Sequence, residues 1–235
     1  MLPIVILAGG LGTRLHPLTK TIPKSMVKIN GIPFIEYQLK LLAKQACEEV
    51  ILCVSYKSEV IQDFVGDGSR YGLLIKYSHD GSDQLGTGGA IIKALPLLGD
   101  NFIVLYGDSF LPTSLKIIAE AHLQGSKSAT MAVFRNNNNY DASNVLFSNG
   151  NLKFYSKTKP NQLYTHIDYG ITVFKKSIFK RYITEQSLDL ADVCSELSAI
   201  SDLAGFEVFE RFYEVGSPSG IEDFSDFVRS IKYVI

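Results

Sequence analysis

The residues best suited to chemistry stand near the start of the chain, where an apolar run enters the turn ILAGGLGTRL, residues 6–15. Small residues after a strand let backbone N–H groups come close to an anion, and an arginine at the exit adds a planar, permanent cation. That combination suits phosphate binding. A tight turn whose arginine pairs with a carboxylate would use the same residues. Spacing removes two common phosphate loops. Gly12 is followed by Thr13 and Arg14 rather than by the lysine and hydroxyl residue of a P-loop. The dinucleotide fingerprint needs a third glycine where Leu15 stands, and Val54, Ser55 and Tyr56 lie where an acidic residue should hold a ribose.

Two further segments carry charge that a phosphate site could use. In TIPKSMVKING, residues 21–31, Pro23 stiffens the chain before Lys24, so that the ammonium can be aimed rather than left solvated. In LYGDSF, residues 105–110, Asp108 follows a buried strand, the place where open α/β sheets bind ligands. A hard divalent ion such as Mg²⁺ takes one or two carboxylates along with phosphate oxygens and water, and Asp108 suits that role. Asp108 also suits the plain role of opening the turn before Pro112.

These residues need a scaffold, and the apolar pattern supplies one. Strands are expected at 3–7, 49–54, 75–78 and 102–106, with helices at 33–46, 58–65 and 88–97 between them. The β-α-β-α rhythm implies a mostly parallel sheet with helices on both faces. After about residue 126 the pattern changes, with strands at 129–134 and 167–174. A hairpin is expected from 145–147 and 152–155 around Ser148-Asn149-Gly150, and a closing amphipathic helix at 218–231. No repeat or flexible linker interrupts the chain. The expectation is one α/β domain whose second half adds antiparallel strands.

Composition narrows the function. With 46% hydrophobic and 20% charged residues, the 235-residue chain reads as globular rather than disordered. A net charge of −1 gives no bulk attraction to nucleic acid or an anionic membrane, so any anion must be bound locally. The three cysteines, Cys47, Cys53 and Cys194, form no CxxC pair, which suits a reducing compartment and offers no zinc site. No basic region precedes the first strand and no apolar run reaches the roughly 18 residues of a membrane helix. The expected setting is the cytoplasm.

Taken together, GGLGTRL, PKSM, LGTGGA and GDS resemble, in order and spacing, the sugar-1-phosphate nucleotidylyltransferases, from Ile4 to about Gly220. Within that family the likeness is to short bacterial members acting on heptose, mannose or N-acetylmuramic acid 1-phosphate, without the left-handed β-helix domain of longer relatives. The resemblance implies a Rossmann-like mixed, mostly parallel sheet flanked by helices. It also implies one domain, with 1–125 as the nucleotide-binding half and 126–235 as the sugar-phosphate half. The implied reaction makes an NDP-sugar and pyrophosphate from an NTP and a sugar 1-phosphate, with Mg²⁺.

Residue by residue, the resemblance assigns Leu7, Ala8, Gly9, Gly10, Gly12, Thr13 and Arg14 to the nucleotide, with Arg14 stabilising pyrophosphate and Lys24 beside the α-phosphate. QLGTGGA, residues 84–90, matches the segment touching base and ribose, so Gln84, Gly86, Thr87 and Gly88 join the nucleotide set, with Gly88 and Gly89 allowing close approach. Asp108 matches the metal ligand. Glu214, in FYEVGSP, stands where relatives usually carry aspartate, and its longer side chain reaches for the same metal. For the sugar phosphate the resemblance points to Lys157, with Lys159 competing, in FYSKTKP, where Ser156 replaces the usual glutamate. Asp168 in HIDYGI is placed to accept bonds from sugar hydroxyls, with Gly107, Asn144 and Gly170 completing the pocket, while Tyr169 is expected to pack and His166 to be structural.

Overall likeness favours GTP with D-glycero-D-manno-heptose or mannose 1-phosphate, for surface polysaccharide synthesis. UTP or CTP with another acceptor stays open, including N-acetylmuramate 1-phosphate, choline phosphate or a phosphonate. A quaternary amine would call for an aromatic cage, with Tyr155, Tyr164 and Tyr169 as candidates. A regulatory subunit that binds nucleotide without turnover is a further alternative. A homodimer is compatible with the family, and the sequence leaves the oligomeric state open.

Overall fold

A computed structural model describes residues 1–81, 85–158 and 161–231. The first half runs β1 (Ile4–Leu7), β2 (Lys28–Ile29), β3 (Ile32–Pro33), α1 (Phe34–Lys44), β4 (Glu49–Val54), α2 (Ser58–Val65), β5 (Leu74–His79), α3 (Gly86–Ala94), β6 (Asn101–Tyr106), β7 (Ser109–Phe110) and α4 (Leu115–Gln124). The second half runs β8 (Ala129–Arg135), β9 (Val145–Ser148), β10 (Asn151–Tyr155), β11 (His166–Lys175), α5 (Leu190–Ala199), β12 (Leu203–Val208), β13 (Tyr213–Glu214) and α6 (Pro218–Ser230).

One sheet passes through most of these strands in the order β10-β9-β11-β6-β1-β4-β5, with β8 beside β11 and β12 beside β8. Strands β6, β1, β4 and β5 are parallel, Ile4 facing both Ile103 and Val50 across the ladders. Alternation along each strand divides the core. Ile4, Ile6, Val50, Leu52, Ile103 and Leu105 pack on one face towards α1, α2 and α4. Val5, Ile51, Cys53, Phe102 and Val104 pack on the other, towards α3 and α5. Both faces are covered, which is why these strands are apolar throughout.

Strand β11 is antiparallel to both β6 and β8, so the sheet becomes mixed where the pattern of the sequence changes. Its register shifts between Asp168 and Thr172, and Gly170 in the shift has a φ of +94°. Glycine meets that conformation at no steric cost. The bulge falls where β11 exchanges one neighbour, β9 at His166, for another, β6 from Ile171 onward.

A third, largely aromatic cluster joins α6 to the N-terminal half. Phe224 sits 5.3 Å from Phe34, 5.3 Å from Tyr37 and 5.0 Å from Phe110, measured between ring centroids. Phe110 lies on β7 and Tyr213 on β13, so the same cluster holds the short β7–β13 ribbon.

The structure departs from the expected elements in particular places. Helix α1 stops at Lys44, because Ala46 takes a φ of +55°. The third helix begins earlier than expected, at Gly86, and passes into a tighter turn at Leu95–Leu97 around Pro96. Helices α4 and α5 and strand β12 were not anticipated. Strand β12 also runs parallel to β8, unlike the antiparallel strands around it.

Candidate functional site

A cleft of about 330 Å³ opens beyond the carboxyl ends of β1, β4, β5 and β6. Leu7 ends β1, and the Ala8 N–H donates to the Cys53 carbonyl at 2.8 Å, so the chain leaves the sheet directly into the glycine turn. Gly12 has a left-handed φ of +63°, and the Thr19 hydroxyl donates to its carbonyl at 2.7 Å. A Cβ on Gly12 would lie 3.1 Å from Lys24 Cβ, so the turn needs glycine both for its conformation and to admit the lysine stem. Thr13 and Arg14 follow in a short helical turn anchored by buried Leu15, with Arg14 exposed at the rim.

Pro23 is extended and Met26 is buried, which fixes the turn between them and aims Lys24 inward. The Lys24 ammonium pairs with Asp108 Oδ2. Asp108 is held in turn by its carbonyl, which accepts the Val215 N–H at 2.8 Å. Glu214 lies opposite Ser109 in the β7–β13 ribbon, at Asp108's flank. Its carboxyl meets solvent at the rim but is crowded by protein. Partial desolvation first, then the charge of Asp108, pushes it up to about 7 against the pull of Lys24 and Arg14. A Cβ on Gly216 would stand 3.0 Å from Arg14 Nη2 and 3.3 Å from Lys24 Nζ, so both cations border the same residue.

One rim therefore collects two cations and two carboxylates from four separate segments. The described residues contain no group of three or more histidine, cysteine or acidic side chains close enough to hold a metal. Two carboxylates whose charges oppose one another nevertheless fit a hard divalent cation, which completes its shell with substrate and water oxygens. The donor set fits such an ion.

Of the expected nucleotide residues, Leu7, Ala8, Gly9, Gly10, Lys24, Gly86 and Thr87 line the cleft, as do Gly107 and Asp108. Gln84 lies outside the described residues. Gly88 corrects an expectation. Its N–H and that of Gly89 donate to the Leu188 carbonyl at 2.8 and 3.2 Å, and a Cβ on Gly88 would meet the Leu188 side chain at 2.7 Å. The close approach these glycines allow in this structure is to the Leu188 segment. Thr87 is likewise engaged: its hydroxyl donates to Asp189 Oδ1 at 2.8 Å and accepts the Leu190 N–H at 2.8 Å.

On the β11 side, Lys157 Nζ pairs with Asp189 Oδ2 at 3.2 Å. Lys159 lies outside the described residues. Asn144 Oδ1 accepts the Asp168 N–H and Asp168 Oδ1 accepts the Gly170 N–H, both at 2.9 Å, which ties three of the expected pocket residues to the bulge. Desolvation pushes the Asp168 carboxyl up to about 6, opposed by the Gly170 bond and the charge of Lys157. Tyr106 lines the cleft and feels Asp168, Asp189 and Asp108 together, its phenol pushed far above the usual range chiefly by burial. It is the wall shared by the two groups of residues.

The aromatic cage does not form from the three tyrosines named for it. Tyr155 and Tyr169 are buried in clusters on opposite faces of the sheet, and Tyr164 stacks on Phe154 at 6.4 Å. His166 is structural, its ring buried against Phe147 with Nε2 3.2 Å from Glu207 Oε1. Sequence reasoning missed Ser25, Ser55, Asp80 and Tyr106 in the cleft wall, and Asp189 behind it. Ser25 lay inside a motif already noticed. So did Tyr106, in LYGDSF, while Ser55, Asp80 and Asp189 stand in no recognisable spacing.

The fold and site define an α/β protein built to handle phosphorylated ligands at the ends of parallel strands. The chain belongs to the nucleotidyl transferase family, which residues 4–230 match. It is 32% identical over 225 residues to a D-glycero-α-D-manno-heptose 1-phosphate guanylyltransferase of Campylobacter jejuni, covering 95% of this chain and 97% of that one. A protein of the same description from Aneurinibacillus thermoaerophilus is 32% identical, covering 98% and 99% of the two chains. Among solved structures, HddC from Yersinia pseudotuberculosis complexed with GMP-PN superposes with a TM-score of 0.80 at 26% identity, covering 97% of this chain and 99% of that one. The inositol-1-phosphate CTP transferase of T. maritima has the same fold, with a TM-score of 0.81 at 20% identity, covering 100% and 98%. No helix among the described residues is long and apolar enough to cross a membrane.

Proposed function

We propose that this protein transfers GMP from GTP to a heptose or mannose 1-phosphate, giving a GDP-sugar and pyrophosphate. The observation that carries this reading is the meeting of Arg14, Lys24, Asp108 and Glu214 at one rim of a cleft floored by the glycine turn. Full-length likeness to guanylyltransferases of heptose 1-phosphate supports the substrates.

In this reaction an oxygen of the sugar phosphate attacks the α-phosphorus of GTP in line, and the bond to the β-phosphate oxygen breaks. Little covalent help is needed, so positioning and neutralisation of charge account for catalysis. The glycine turn supplies backbone N–H groups to the triphosphate. Lys24 balances charge at the α-phosphate and Arg14 at the departing pyrophosphate. Asp108 and Glu214 would hold Mg²⁺, which supplies Lewis-acid polarisation of phosphate oxygens. Lys157 binds the acceptor phosphate, and Asp168, with Asn144 and Gly170 behind it, receives sugar hydroxyls. Residues 1–125 thus serve the nucleotide and 126–235 chiefly the sugar phosphate. Three free, buried cysteines suit a reducing cytoplasm.

The deciding experiment is pyrophosphate release with Mg²⁺, crossing four NTPs with a panel of sugar 1-phosphates, beside a chelator control. Release that requires GTP, a heptose or mannose 1-phosphate and the metal is expected. Release confined to another base, or silence with every sugar, would overturn the assignment.

A further inference from the structure

Helix α1 carries a buried amide that faces the turn after β6. Gln38 is 4% exposed, and Leu41, Leu42, Leu105 and Leu111 line the small cavity beside it. Its Nε2 donates to the Tyr106 carbonyl and to the Ser109 carbonyl, both at 2.9 Å. Those two carbonyls bracket Gly107 and Asp108, so one amide grips the turn from both sides. Its Oε1 is buried and accepts no hydrogen bond among the described residues. An amide that leaves its own oxygen bare is a poor filler for an apolar site, because an unmet buried acceptor is costly. What this position gains over leucine or methionine is the pair of N–H donors. Both are directed at the Asp108 turn.

Backbone contacts hold the rest of that turn. The Gly107 N–H donates to the Leu7 carbonyl at 3.0 Å, and the Asp108 carbonyl accepts the Val215 N–H at 2.8 Å. The Ser109 hydroxyl lies 3.4 Å from Asp108 Oδ1, while the Lys24 ammonium takes Oδ2. Helix α1 also bears on Lys24. Phe34, which opens the helix, donates its N–H to the Val27 carbonyl at 2.9 Å. The Val27 N–H in turn donates to the Lys24 carbonyl at 3.1 Å. Phe34 and Gln38 are four residues apart and so share a face of the helix. One rigid element therefore refers the lysine and the aspartate to each other.

We propose that Gln38 is a positioning residue, which holds the Asp108 turn where its carboxylate meets both Lys24 and the divalent cation. The inference rests on the transferase reading and deepens it. Gln38 lies outside the cleft wall and acts through Asp108. Groups that fix a metal ligand from behind change metal affinity or activity by about 10- to 100-fold when they are lost. Small displacements are amplified at such a site, since the reacting atoms must stay in line.

The test compares the native protein with Gln38→Met, Gln38→Glu and Tyr37→Phe. Methionine keeps the length in apolar surroundings and removes both donors, and glutamate sets an oxygen where the amide nitrogen stood. Tyr37→Phe is the control, since it strips from the same helix a bond of 2.9 Å to the Ile29 carbonyl, away from the turn. Gln38→Met should raise the midpoint of the Mg²⁺ dependence about 10-fold and lower kcat about 10-fold. KM for GTP at saturating Mg²⁺ should stay near native. Gln38→Glu should lose at least as much, and Tyr37→Phe should shift neither the midpoint nor kcat. In the Asp108→Asn background Gln38→Met should cost no further turnover, because the carboxylate it acts through is gone. Amide exchange at Gly107 and Val215 should quicken in Gln38→Met and not in Tyr37→Phe. A Gln38→Met protein with a native metal midpoint and native exchange at both amides overturns the assignment. So does a full further loss of turnover in the Asp108→Asn background, the mark of a general loosening of structure. If the native protein releases no pyrophosphate with any NTP, the transferase reading falls, and exchange at the two amides still decides whether Gln38 holds the turn.

Discussion

The Thr87 hydroxyl donates to Asp189 Oδ1 at 2.8 Å, while the other oxygen of that carboxylate meets Lys157 Nζ at 3.2 Å. One side chain therefore joins the LGTGGA segment to the lysine proposed for the acceptor phosphate. The same carboxylate caps α5 by accepting the Ala191 N–H at 3.0 Å. Thr87→Val, which keeps shape and removes the hydroxyl, should weaken this join without touching either substrate directly.

Replacing Asp189 by alanine should cost about 1 kcal/mol of stability through the lost cap. It should also leave Lys157 untethered, raising KM for the sugar phosphate several-fold with little change in KM for the nucleotide. Steady-state kinetics with each substrate varied in turn checks the split. Equal change in both constants would show that the network does not separate the two subsites.

Asp108→Asn keeps the size of the side chain but removes the charge facing Lys24 and Glu214. Pyrophosphate release should fall at least about 100-fold, in the range expected when one preorganised electrostatic contact at a reacting phosphate is lost. The midpoint of the Mg²⁺ dependence should move to higher concentration. A variant with native turnover and native metal dependence would remove Asp108 from the mechanism.

Asp168 ties stability to pH. Its carboxyl is pushed up to about 6 in the fold, above the 3.8 typical of an open chain, so folding favours its protonated form. The stability it permits is present in full below about pH 4, declines as pH rises towards 6, and is flat beyond. Asp168→Asn, whose amide oxygen can still accept the Gly170 N–H, should therefore stabilise the protein at pH 8 by up to roughly 3 kcal/mol. The gain should vanish near pH 4. Urea unfolding of both proteins across that range measures it.

Phe224 is fully buried between Phe34, Tyr37 and Phe110, far along the chain from the groups at the rim. Truncation to alanine should cost about 3–5 kcal/mol. Because the cluster also holds the β7–β13 ribbon, amide exchange at Tyr213 and Glu214 should rise along with that of α6. Unchanged protection of the ribbon would mean that Glu214 is positioned independently of the helix.

The sequence alone determined the parallel half of the sheet and marked the residues proposed for phosphate within it. Continuous apolar runs such as Val50 to Val54 exist because both faces of a parallel sheet are buried, and the glycine, lysine and aspartate motifs sit at fixed distances from those runs. Their types and spacing are local properties, so they can be read along the chain. Tertiary structure decided what depends on folding distant segments together. The pairing of β7 with β13 brings Glu214 to Asp108, and β5 carries Asp80 into the cleft wall. The Leu188 segment packs on Gly88 and Gly89 of LGTGGA, while Gly86 stays in the cleft wall. Helix α5 and strand β12 escaped notice because their burial, and therefore their pattern, is set by neighbours more than sixty residues away, Thr87 and Ala129 among them. Periodicity records that an apolar face will be buried, while only the packed chain decides against what.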